Sequence, residues 1–214
     1  MKNYQLGEIK RILTEKGYKV ATQPCELNLI GIRSNPGVVN EFDDILVVFY
    51  NDADGNESFH LFAITTDPGR YYMNNPVNVD GTAILAEGQY PVYQYDLHHG
   101  DYLALCQRLG PVTVYRDPNR DNKVDFGKTE KGMYGINIHH AQRTGVTGSV
   151  GKFSAGCQVF QSIDDFNEVM NLVKEQLRRY GNHFTYTLLN EKDFSFPENL
   201  EPEPAVASSK EKKA

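Results

Sequence analysis

The stretch ILVVFYNDADGNESFHLFAIT, residues 45–65, decides the fold class. Ile45–Tyr50 is rich in β-branched and aromatic residues, Asn51–Asn56 is a cluster of turn formers, and Ser58–Thr65 is β-prone again. Two such runs around a polar, Gly-containing turn predict a β-hairpin. Outward from it the same texture recurs. Leu27–Ile32 precedes the hairpin, and Ala83–Leu85, Val92–Leu97, Leu103–Cys106, Val112–Tyr115, Gly135–His139 and Phe184–Leu189 follow as short strands. Helical spacing appears at two places. Leu6, Ile9, Ile12 and Leu13 share one face, and Gly17 follows as a C-cap. From Ser162 to Arg179, Ile163, Phe166, Val169, Met170, Val173 and Leu177 form an apolar stripe, with Asp164 and Asp165 at the start, where the helix dipole favours acids. Gly69–Pro91 reads as a long irregular surface segment around Tyr71-Tyr72. The pattern predicts a mainly β (α+β) fold with a short N-terminal and a long C-terminal helix. It divides into an N-terminal helix over 1–20, a main domain over 21–192 and a disordered tail over 193–214, where Pro, Glu, Ser and Lys dominate.

The chain has 214 residues and a net charge of −6, enough for one sizeable core and unsuited to collecting nucleic-acid phosphates. Its one strongly basic cluster, Lys210–Lys213, reads as a solubilising end. No apolar run approaches the roughly 20 residues that span a bilayer, and the N-terminus carries no apolar signal-peptide core. The expectation is therefore a chain made in the cytoplasm, which something else must carry if it acts outside the cell. Three cysteines without a CxxC pair do not make a disulfide framework, so at least one is free.

Chemistry concentrates in YGINIHHAQRTGVTGSVGKFSAGCQVF, residues 134–160. A thiol attacks as thiolate, and a nearby imidazole can take its proton. Ser154-Ala155-Gly156-Cys157 offers a hydroxyl, a small residue, a permissive Gly and the thiol, a backbone able to turn N–H donors toward a developing oxyanion. Along Gly135–His139, alternation puts Ile136 and Ile138 on one face and Asn137 with His139 on the other. A Gly-rich loop then leads from His139 to Ser154, with 14 residues between them.

This segment resembles the signature of the L,D-transpeptidase catalytic domain family, cysteine enzymes acting on bacterial peptidoglycan stem peptides. The family pattern is His, 14 to 17 residues, then Ser/Thr-His-Gly-Cys, and it fits from His139 but not from His140. The resemblance implies Cys157 as nucleophile, His139 as its base, the His140 backbone carbonyl as the group that orients the imidazole, and N–H groups at Gly156 and Cys157 as the oxyanion hole. Ser154, Ala155 and Gln158 become candidate substrate contacts. Ala155 stands where the family has a second His, and Gln158-Val159-Phe160 stands where it has an Arg. Upstream, Glu87-Gly88-Gln89-Tyr90 is similar to a further family segment without its prolyl turn. The implied fold is an L,D-transpeptidase-like β-sandwich or sheet, and the implied activity is acyl transfer or hydrolysis on stem peptides, with peptidoglycan as partner and no cofactor or metal. The missing export signal favours a lysin-like, phage-encoded peptidase. The alternative is a catalytically silent structural or binding module.

Other features have bland readings beside sharper ones. Cys25 and Cys106 have core-like neighbours. His98-His99 before Gly100-Asp101 reads as a polar turn, or with His139-His140 as a four-His zinc cluster. Asp117-Pro-Asn-Arg-Asp-Asn-Lys-Val-Asp125 reads as a charged hairpin turn, or as the first part of an EF-hand loop with Asn122 at the Gly position and Lys128 at the Glu position. Tyr71-Tyr72 would stack on a glycan or cover the core.

Overall fold

The computed structural model describes residues 2–35 and 37–195. Most of the tail expected over 193–214, and its Lys210–Lys213 cluster, lie outside the described residues. In chain order the elements are α1 (Leu6–Glu15), β1 (Asn28–Arg33), β2 (Asp44–Asn51), β3 (Glu57–Thr65), α2 (Arg70–Asn74), β4 (Thr82–Leu85), β5 (Gly88–His98), β6 (Tyr102–Gln107), β7 (Val112–Asp117), β8 (Thr129–Gly132), β9 (Ile138–His140), β10 (Gln158–Phe160), α3 (Ile163–Tyr180) and β11 (Phe184–Asn190). Eight strands close into a barrel in the order β1-β11-β5-β6-β9-β10-β3-β2, and β4, β7 and β8 form a separate three-stranded sheet.

The mainly β class with a packed helix holds, but the architecture is a closed barrel and not a sandwich or open sheet. The hairpin of residues 45–65 is the seam that starts it: β2 and β3 pair antiparallel from Asp44↔Ile64 to Asn51↔Glu57. β2 is an almost unbroken apolar run because both of its faces are covered. Leu46 and Val48 join Phe62, Phe160, Tyr186 and the Phe166, Val169 and Met170 of α3 in one buried cluster. Ile45, Val47 and Phe49 point the other way, onto Ile9, Ile12 and Leu13 of α1. Each such side chain contributes roughly 1.5–3 kcal/mol when fully buried. α3 starts where Ser162 accepts the Asp165 N–H (3.3 Å), a side-chain cap that satisfies one orphan donor of the first turn.

Closure depends on two parallel pairings, β1 with β11 and β9 with β10. Pro91, inside β5, falls where the register with β11 shifts, between Tyr93↔Phe184 and Tyr90↔Tyr186. A residue without an N–H fits a bulge that leaves one ladder position unpaired. The segment 69–91 is more ordered than expected: besides β4, which matches the strand expected at Ala83–Leu85, it holds α2 and the start of β5. The strand expected over Gly135–His139 is shorter and later. Gly135 takes a left-handed φ of 69°, and the Gln107 side chain accepts the N–H groups of Tyr134 (3.3 Å) and Ile136 (3.1 Å), so these residues hang on a side chain instead of a ladder. Among the described residues no helix is long and apolar enough to cross a membrane.

Candidate active site

β9 and β10 run side by side, with Gln158 opposite Ile138 and Val159 opposite His139. Extending that register by one residue puts Cys157 beside Asn137. The contact is made: the Asn137 N–H points to the Cys157 sulfur at 3.4 Å. Side chains of paired residues in parallel strands share a face, and alternate residues return to it. Cys157, Asn137 and His139 therefore occupy one face, with sulfur and imidazole as diagonal neighbours. Both line a cavity of about 260 Å³ together with Tyr72, His98, Lys152 and Ala155.

The imidazole is held in one tautomer. His139 Nδ1 lies 2.9 Å from the His140 carbonyl oxygen, an acceptor, so Nδ1 carries the proton and Nε2 keeps its lone pair. Tyr102 packs its hydroxyl on the same pair, 3.4 Å from that carbonyl and 3.3 Å from Nδ1. The His98 ring stacks on His139 with centroids 4.2 Å apart. His98 is itself oriented, because Asn137 Nδ2 donates to its Nδ1 (3.0 Å), while Asn137 Oδ1 accepts the Gln107 N–H (2.9 Å). Burial pushes His139 down to about 3, helped by the neighbouring His98, and burial with His99 pushes His98 down to about 4. Both imidazoles are neutral near pH 7. The His140 ring is buried, stacked on Tyr102 at 4.1 Å and edge-on to Phe166.

The sulfur is also neutral. Cys157 is half-buried, its thiol lies 3.5 Å from the Gly135 carbonyl, and burial pushes it up to about 11. The turn that presents it is shaped by Gly156, at φ 123°, where a Cβ would lie 2.1 Å from the Ala83 carbonyl oxygen of β4. Only glycine fits there. Ser154 is fully buried and clasps the turn, donating to the Cys157 carbonyl (2.8 Å) and accepting the Gly156 N–H (3.1 Å). That bond corrects two expectations. Ser154 is not a substrate contact, and Gly156 spends its N–H inside the turn, so the Cys157 N–H is the donor left without a hydrogen bond among the described residues. Gln158 is corrected as well. It is buried, accepts the Tyr186 hydroxyl (2.8 Å) and reaches back to the Gly156 carbonyl (3.4 Å), facing the core instead of a ligand. Of the three expected substrate contacts, Ala155 alone lines the cavity.

The rim adds Lys152, Arg143 and Tyr102, which sequence reasoning passed over, to the Tyr71-Tyr72 pair and His98. Lys152 sits 4.3 Å above the Tyr71 ring, and Tyr72, edge-on to Tyr71, forms part of the cavity wall. Arg143 pairs with Asp101 beside Tyr102. Tyr102 was findable, since Gly100-Asp101 marks a hairpin turn whose last cross-strand pair is His98↔Tyr102. Among the described residues no three His, Cys, Asp or Glu side chains are grouped to hold a metal. The His98 and His139 rings lie stacked, 24° from parallel.

The arrangement offers a thiol, an imidazole with an available lone pair, a backbone N–H beside the sulfur, and a cationic rim. That set suits attack on a carbonyl with the proton moving as the S–C bond forms, because neither partner ionises beforehand. Comparison of the chain with protein-family models, with curated proteins and with solved structures finds no match.

Proposed function

We propose that this chain is a cysteine-dependent acyl-transfer enzyme of the L,D-transpeptidase type, acting on an amide of peptidoglycan stem peptides. The observation that supports this reading is the His139 Nδ1 bond to the His140 carbonyl at 2.9 Å, which leaves Nε2 for the cavity that Cys157 lines. In the proposed cycle Cys157 attacks the amide carbonyl and its proton passes to His139 Nε2. The tetrahedral oxyanion accepts the Cys157 N–H, a donor of the kind worth about 10²–10³ in rate. The leaving amine takes the proton from the imidazolium, and a thioester remains. Water or a second amine resolves the thioester, with His139 removing the incoming proton. Lys152 is the cation that would meet the substrate's carboxylates, in place of the family's Arg.

A second reading, a silent binding module, is favoured by one observation: the resting thiol points to the Gly135 carbonyl and is pushed up to about 11. The two separate on purified peptidoglycan fragments with tetrapeptide stems, analysed by mass after incubation with wild type, Cys157→Ala and His139→Gln. The enzyme reading expects cleaved or exchanged stems with wild type and none with Cys157→Ala. Equal products from both proteins would reject the mechanism. Stem binding without any product would select the silent module.

A further inference from the structure

The loop from β7 to β8 carries side-chain oxygens at alternate places: Asp117, Asn119, Asp121 and, four residues further, Asp125. We infer that this loop is a calcium site, independent of the acyl-transfer reading, with those four side chains and the Lys123 carbonyl as oxygen donors. The places correspond to the first, third, fifth, seventh and ninth of an EF-hand loop, whose seventh ligand is a backbone carbonyl.

The observation that points to a ligand is Asp117. It is 1% exposed; its Oδ2 accepts the Asp125 N–H (3.1 Å), which turns the carboxylate into the loop, and its Oδ1 has no hydrogen-bond partner. Among the described residues no Lys, Arg or His is ion-paired with it. A buried carboxylate oxygen without a donor or cation is unfavourable.

The backbone is already bent for the task. Asn119 Oδ1 accepts the Asp121 N–H (3.1 Å) and Asp121 Oδ1 accepts the Lys123 N–H (2.9 Å). The sixth place of an EF-hand loop is Gly for its sharp turn, and Asn122 supplies the same left-handed conformation at φ 61°. Asn tolerates that region better than other side chains. The acids stand further apart than ligands around one ion would. Exposed Asp121 and half-buried Asp125 have to swing inward, and Asp125 must exchange its bond to Asn119 Nδ2 (2.6 Å). Lys128 replaces the bidentate Glu of the twelfth place, which puts the expected Kd at the weak end, about 10⁻⁴–10⁻³ M. The loop also holds the cavity wall: Asn122 Oδ1 accepts Asn74 Nδ2 (2.8 Å) at the end of α2, the helix that carries Tyr72.

Calorimetric titration of the chelator-stripped full chain with calcium chloride tests the site, beside magnesium chloride and the exposed-position variant Asp121→Asn. Wild type should show one saturable calcium site and a rise in Tm, with affinity at least tenfold weaker in Asp121→Asn and for magnesium. Matching Tm values of the two proteins without calcium would show that the variant folds. No saturable calcium binding, equal affinity in Asp121→Asn, or magnesium binding as tight as calcium would each overturn the assignment.

Discussion

Alkylation of Cys157 across pH tests the electrostatics of the site most directly. With its thiol pushed up to about 11, Cys157 at pH 7 is four pH units below its midpoint, and about one molecule in 10⁴ carries the thiolate. A free cysteine near 8.5 carries about 3%, some 300-fold more. The more basic thiolate is intrinsically more nucleophilic, and a Brønsted slope of about 0.4–0.5 over 2.5 pH units returns about tenfold. Labelling by iodoacetamide should thus run on the order of thirtyfold slower than a free thiol at pH 7, before any steric term. It should rise about tenfold per pH unit up to pH 10. Mass mapping separates Cys157 from the buried Cys25 and Cys106. His139→Gln should leave the profile between pH 5 and 8 unchanged, because burial pushes that imidazole down to about 3 and it stays neutral across that range. A flat, fast profile between pH 5 and 8, abolished in His139→Gln, would reveal a preformed thiolate–imidazolium pair and refute the neutral resting state.

Three further outcomes follow from the geometry. Gly156→Ala forces a side chain into φ 123° and a Cβ to 2.1 Å from the Ala83 carbonyl oxygen. The conformational strain alone is about 1–3 kcal/mol, so urea unfolding should show at least about 3 kcal/mol lost, and a loss under about 0.5 would contradict the fit. For His139, the folded state resists protonation while the unfolded chain binds a proton below its ordinary 6.5. Stability from this group is therefore present at neutral pH and lost as pH falls through 6.5 toward 3, about 2 kcal/mol of it by pH 5. Asp44, pushed up by burial to about 7, works the other way, so the readout is wild type minus His139→Gln at pH 7 and at pH 5; an unchanged difference would count against the buried neutral imidazole. Arg33 is buried, pairs with Asp67 (3.1 Å) and donates to the carbonyls of Thr66 (3.2 Å) and Leu85 (2.9 Å). Arg33→Met should cost about 3–5 kcal/mol by stranding the acid, with partial recovery in Arg33→Met/Asp67→Leu; full additivity of the two changes would deny the pairing.

Local signals in the sequence translated well into elements. The helical spacing of Leu6–Leu13 with Gly17, the hairpin around Asn51–Asn56 and the stripe of α3 behind Ser162 are short-range, and each element forms where its period says. Barrel closure was not legible, because it rests on parallel pairings between strands far apart in sequence, and a strand's composition does not name its neighbour. β10, at three residues, is too short to show alternation, and only Ile138 and His139 of the expected Gly135–His139 strand enter the ladder. In the site, the spacing from His139 to Cys157 located two residues that share a cavity, and the order His139-His140 located the orienting carbonyl. The polar side chains around them misled. Ser154 and Gln158 look like ligand contacts in a sequence, yet a tight turn against a core needs buried hydrogen-bonding groups of its own.

The ring of strands sets the cavity and the first and last described residues on opposite sides. β6 and β9 carry Tyr102 and His139, and they lie halfway round from β1 and β2, which bear α1. On that far side Tyr4 meets Phe194 with ring centroids 5.2 Å apart, and the Ser195 N–H reaches Glu8 (3.0 Å). A surface tether, a fluorophore or an affinity handle attached near Asn3 or Ser195 would thus leave the mouth of the cavity facing outward, so immobilised protein should present its sulfur to large, insoluble material as freely as protein in solution.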